Sequence, residues 1–172
     1  MTIALSAHNK NRIWNFFEAN SDVPQLSSWP IDSSSTSSLV VSTFKFDGQT
    51  IECRFSGNFA SNPSSFGTLG NLNQGSNTVI SYELFFDGQL SESASFNPGV
   101  SFSQWHNALG ASSRSELQQL YSGDDIFTGS QQAGTDNDDG IHGYGGNDVF
   151  YSNGASSSGS NSDKFFGGDG MD

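Results

Sequence analysis

Residues 143–151 read Gly-Tyr-Gly-Gly-Asn-Asp-Val-Phe-Tyr. Glycine reaches backbone angles closed to other residues, and Asn and Asp side chains close turns on their own backbone. Val149, Phe150 and Tyr151 then suit a short strand. The stretch has copies on both sides. Each is recognised by an Asp that precedes an apolar residue by two. Asp125 precedes Phe127, Asp139 precedes Ile141, Asp148 precedes Phe150, Asp163 precedes Phe165, and Asp172 stands at the same place in a fifth copy. The steps between these Asp residues are 14, 9, 15 and 9. The two long steps are nine-residue steps enlarged at 131–136 and 155–160, Gly-, Ser- and Gln-containing stretches of the kind repeat arrays accept as loops on one face.

Charge separates this segment from the rest. The chain of 172 residues carries 18 Asp and Glu against 6 Lys and Arg, a formal charge of -12. Residues 122–172 hold nine Asp, no Glu and a single Lys. A solvated helical face would favour Glu, the better helix former, whereas Asp among Gly and Asn suits turns and oxygen coordination of a hard cation. No basic stripe is available to neutralise phosphates, which argues against nucleic acid, and the acidity argues against an anionic membrane surface. No run of 18 apolar residues is present, so no membrane insertion is expected. A cation is the natural partner for this charge.

Together these copies resemble the hemolysin-type RTX calcium-binding repeat, G-G-x-G-x-D-x-U-x with U apolar. Gly143–Tyr151 fits it apart from Tyr144 at the second Gly, and Gly167-Gly168-Asp169-Gly170-Met171-Asp172 fits at every fixed position it contains. The copies at Asp125, Asp139 and Asp163 are degenerate. The resemblance covers about 122–172 and implies a parallel β-roll with two repeats per coil, in which Ca²⁺ lies between stacked turns. It would pair Asp125 with Asp148, Asp139 with Asp163, and Asp148 with Asp172. The carbonyls of Gly123, Gly129, Gly143, Gly145, Gly146, Gly167, Gly168 and Gly170 are the accompanying ligand candidates. Phe127, Ile141, Phe150 and Phe165 would fill the interior. Carboxylates this crowded repel one another, so the segment is expected to fold on binding Ca²⁺. The resemblance further implies an extracellular or cell-surface protein, secreted without a cleaved N-terminal signal, through type I secretion machinery that reads a C-terminus. The array stops at Asp172 without a closing strand, so a downstream continuation is expected.

Residues 1–121 read as a small β-rich domain with short flanking helices, which makes the whole chain mostly β. Leu39–Phe46 and Gln49–Phe55 flank Asp47-Gly48, and Val79–Phe86 and Leu90–Phe96 flank Asp87-Gly88, two hairpin signals. Ser6–Asn20, Ser103–Ala108 and Ser113–Tyr121 read as helices, the last with a capping box at Ser113 and Glu116. Residues 57–78 read as a long connection or short irregular strands. Phe44, Phe46, Phe55, Phe85 and Phe86 are core candidates. The lone Cys53 alternates with Ile51 and Phe55 and faces the same core, with no disulfide to form.

No catalytic signature appears. His8, His106 and His142 lack the H-E-x-x-H context of a zinc protease, and no G-x-S-x-G elbow is present. The reading is therefore a calcium-binding module of a secreted or surface protein. One alternative is the N-terminal fragment of a secreted RTX enzyme or toxin whose active domain lies downstream or goes unrecognised; a cleft at His106 with nearby carboxylates would favour it. Another is a carbohydrate-binding module, favoured if Trp29 or Trp105 forms an exposed platform.

Overall fold

The computed structural model describes residues 1–7, 26–46, 48–59, 62–73, 75–110, 115–128, 140–151 and 164–172. The protein is mostly β. Strands β1 (Thr2–Ala7), β2 (Leu39–Phe46), β3 (Gln49–Asn58), β4 (Thr78–Phe86) and β5 (Gln89–Ser101) precede helices α1 (Phe102–Gly110) and α2 (Ser115–Leu120). Four three-residue strands follow: β6 (Ile126–Thr128), β7 (Gly140–His142), β8 (Val149–Tyr151) and β9 (Lys164–Phe166).

Strands β2 to β5 form an antiparallel meander, as the two Asp-Gly signals predict. At the second turn Asp87 and Gly88 have φ of 48° and 78°, the double positive φ of a type I′ turn. Asp87 also ties the two hairpins together. Its N–H donates to the Thr50 carbonyl and its Oδ1 accepts the Thr50 N–H, both at 2.8 Å. Strand β5 runs past the expected end at Phe96 to Ser101. The 57–78 connection contains two 3-10 turns, Pro63–Phe66 and Leu69–Asn73.

One face of the meander is covered by α1 and by the 26–31 and 69–73 segments. Phe55, Tyr82 and Phe102 surround the Trp105 ring at centroid distances of 4.7, 5.6 and 5.7 Å. Ile51, Cys53, Leu69, Leu72, Val79 and Leu84 complete this core. Phe85 departs from expectation. It neighbours Phe86 in an extended strand, so the two point to opposite faces. Phe86 is buried, while Phe85 lies on the other face under the Arg54 guanidinium, 4.4 Å from its ring centroid.

Ser6 and Ala7, read as the start of a helix, are the end of strand β1. The rest of that expected helix and the capping box at Ser113 lie outside the described residues. Strand β1 lies between β5 and β6, antiparallel to the first and parallel to the second. Strand β8 then adds parallel to β6, giving the order β2-β3-β4-β5-β1-β6-β8. A second, two-stranded sheet pairs β7 with β9, also in parallel. The compositional boundary at 121/122 is thus crossed by backbone hydrogen bonds.

Candidate metal centre

The four short strands carry the aligned apolar residues in register. Phe127 is opposite Phe150, and Ile141 is opposite Phe165. Each repeat therefore pairs with the next but one. The Phe127 and Phe150 rings stack at 5.1 Å and 11°. Phe127 is buried and touches Tyr121 at 5.9 Å, which joins the repeat interior to the main core.

The same offset stacks the turns before β6 and β8, 123–125 and 146–148, and the segment 170–172 into one column. Two ladders of side-chain to backbone hydrogen bonds knit it. In one, the Asp125 N–H donates to Asp148 Oδ1 at 2.9 Å, and the Asp148 N–H donates to Asp172 Oδ1 at 3.1 Å. The other runs the opposite way. The Asn147 N–H donates to Asp124 Oδ1 at 2.8 Å, and the Met171 N–H donates to Asn147 Oδ1 at 3.0 Å. Asp124 and Asn147 were not singled out by the sequence reading, although each stands directly before an aligned Asp. That placement was the available signal.

Asp125 and Asp148 are buried, and Asp172 is exposed at the end of the column. The structure stacks these three pairwise, Asp125 against Asp148 and Asp148 against Asp172. Asp139, Asp163 and Gly129 lie outside the described residues. The glycine candidates take distinct parts. Gly143 makes room for a carboxylate: a β-carbon there would lie 1.9 Å from Asp148 Oδ2 and 2.7 Å from the Gly167 carbonyl oxygen. Gly167 does the same for Asp172 Oδ2, at 1.8 Å. Gly146 and Gly170 have φ of 120° and 153° and lie against the carbonyls of Gly123 and Gly146 respectively. Gly145 forms a parallel bridge with Asp169. Gly168 has φ of 102°.

Tyr144 holds the second-Gly position and keeps the left-handed backbone, with φ of 66°. Its ring lies 6.5 Å from Tyr121 and 5.6 Å from His142. A β-carbon on Gly168, one coil later, would meet the Tyr144 carbonyl oxygen at 2.3 Å. On its other side the Tyr144 ring meets Tyr121, the residue after α2.

The electrostatics disfavour a bare carboxylate at Asp148. Asp148 Oδ2 is buried and accepts no hydrogen bond. It and the Gly167 carbonyl oxygen both lie close to the space a β-carbon on Gly143 would take. Burial pushes the Asp148 carboxyl above its ordinary range; the Asp125 N–H pulls it back, while the charges of Asp172 and Asp124 push it further up. Such an environment favours a proton or a hard cation, and the donors are all oxygen. Among the described residues no three of His, Cys, Asp and Glu gather into a cluster. The carboxylates come as stacked pairs with backbone carbonyls beside them, and this set fits Ca²⁺ only if carbonyls supply part of the shell.

The other candidates lie elsewhere. His106 accepts from Asn73 Nδ2 at Nδ1, at 2.9 Å, and packs on Phe102. Burial holds its pKa below the ordinary value, against a raising hydrogen bond with Asn107, and no carboxylate contributes to the shift. Trp29 and Trp105 are 0% and 1% exposed, so neither ring offers a carbohydrate platform. His142 stacks on Phe166 at 4.5 Å and 9°. Compared with protein-family models, curated proteins and solved structures, the chain matches none.

Proposed function

We propose that residues 122–172 form a calcium-binding parallel β-roll of the RTX kind, within a protein that works outside the cell, where Ca²⁺ is plentiful. The observation that carries this reading is Asp148 Oδ2, buried without a hydrogen-bond donor and lying, like the Gly167 carbonyl oxygen, against the side of Gly143 that a β-carbon would occupy. The carboxylates of Asp125, Asp148 and Asp172, with carbonyls of the stacked turns, would hold the ions. The repeat spacing and the pairing of each repeat with the next but one support it. Bound Ca²⁺ would neutralise the column of carboxylates and so stabilise the stacked coils. By analogy with extracellular calcium modules, affinity falls at roughly 10⁻⁴ to 10⁻³ M.

Titration with Ca²⁺ under far-UV circular dichroism, with Mg²⁺ as control, tests this. A gain of β signal specific to Ca²⁺ is expected, and Asp148→Ala should abolish or strongly weaken it. Equal responses to both ions, or an unaltered response in Asp148→Ala, would overturn the assignment.

A further inference from the structure

The position of β1 gives the antiparallel sheet a second task, an inference that rests on the calcium reading above. The first repeat strand, β6, is hydrogen-bonded on one side to β1, with Ala4, Leu5 and Ser6 opposite Ile126, Phe127 and Thr128. Only its other side faces a repeat strand, β8. The turn before β6 is fixed from the same direction. A β-carbon on Gly123 would lie 1.8 Å from the Met1 carbonyl oxygen, so the backbones of 1 and 123 are in direct contact. Inside, Phe127 packs on Tyr121 and belongs to the main core. The later strands have less. Val149 and Tyr151 of β8 are 45% and 55% exposed, and β7 and β9 pair only with each other among the described residues.

We infer that the antiparallel sheet is the template on which the repeats assemble: β1 orders β6 and the Asp125 turn without any cation, and Ca²⁺ then propagates the fold toward Asp172. A parallel strand of three residues cannot hold itself, but added to a finished sheet it meets a ready row of partners. The Asp125/Asp148 turn pair is then half-built before ions arrive. The Asp148/Asp172 pair, which has no template, forms after it.

Hydrogen exchange of the whole chain, with and without Ca²⁺, decides the matter. In chelator, amides of 126–128 should exchange at least about tenfold more slowly than those of 149–151 and 164–166, which gain protection only when Ca²⁺ is added. Gly123→Val, whose side chain Met1 blocks, should remove the protection at 126–128 and raise the Ca²⁺ midpoint several-fold. Unchanged protection at 51–55 and 82–86 would show that the sheet itself still folds. If 126–128 exchange as fast as 149–151 without Ca²⁺ and all become protected together, the template is wrong and the calcium reading stands. If 126–128 are protected but Ca²⁺ slows nothing in 140–172, the template stands and the calcium reading fails.

Discussion

Asp148 divides its two oxygens between two tasks. Oδ1 accepts the Asp125 N–H and holds the ladder, while Oδ2 accepts no hydrogen bond and would be the ligand of the proposed Ca²⁺. Asn keeps an acceptor for the ladder and loses the charge. Asp148→Asn should therefore preserve more of the fold than Asp148→Ala yet still weaken Ca²⁺ binding; equal losses in both would contradict this division. The pH response follows from the raised carboxyl. A carboxyl whose folded pKa exceeds its unfolded one takes up a proton on folding. The cation-free fold is thus favoured at pH below the unfolded value, and that contribution is lost as pH rises through the folded one. Ca²⁺ needs the ionised form, so proton and ion compete. The Ca²⁺ midpoint should move to higher concentration as pH falls from neutral through the carboxyl's titration, and a midpoint that never moves would exclude Asp148 as a ligand.

The stacked turns depend on glycine where a side chain collides with a carboxylate. Gly143→Ala places a β-carbon against both Asp148 Oδ2 and the Gly167 carbonyl, and the second is backbone that cannot swing aside. A loss of about 1–3 kcal/mol from Ca²⁺-bound stability is expected, read by thermal or denaturant unfolding. Tyr144→Gly should cost far less. It relieves a left-handed backbone worth about 1–2 kcal/mol, against the Tyr121 and His142 contacts it gives up. The hairpins were legible because Asp-Gly between alternating strands states its own turn geometry. The repeat register was legible because Asp and the apolar residue keep a fixed spacing. Strand β1 was not. Ile3 and Leu5 alternate, but Ile13, Phe16 and Phe17 downstream carry a helical spacing, and nothing local announces partners near residues 95 and 127.

Across the whole molecule the buried aromatic cluster carries the stability. Trp105→Ala should cost about 3–5 kcal/mol and unfold the sheet together with β6. Cys53 is fully buried, and burial followed by the charges of Glu92, Glu52 and Glu83 pushes its thiol well above the ordinary value. Its labelling by a thiol reagent should therefore track global unfolding, with or without Ca²⁺; fast labelling of the native protein would show that the sheet opens locally. Phe85 shows where the sequence reading stopped short, since two adjacent Phe in a strand cannot share one core and only the sheet decides which is inside. The placement of β1 has a further consequence, for the order of events in time. Its hydrogen-bonding partners are residues 92–97 and 126–128, so it pairs with nothing near it in the chain. On a ribosome it would wait, unpaired, through the synthesis of the entire meander. Closing so large a loop is slow, and refolding from denaturant should take milliseconds to seconds, with β1 the last strand of the antiparallel sheet to gain protection.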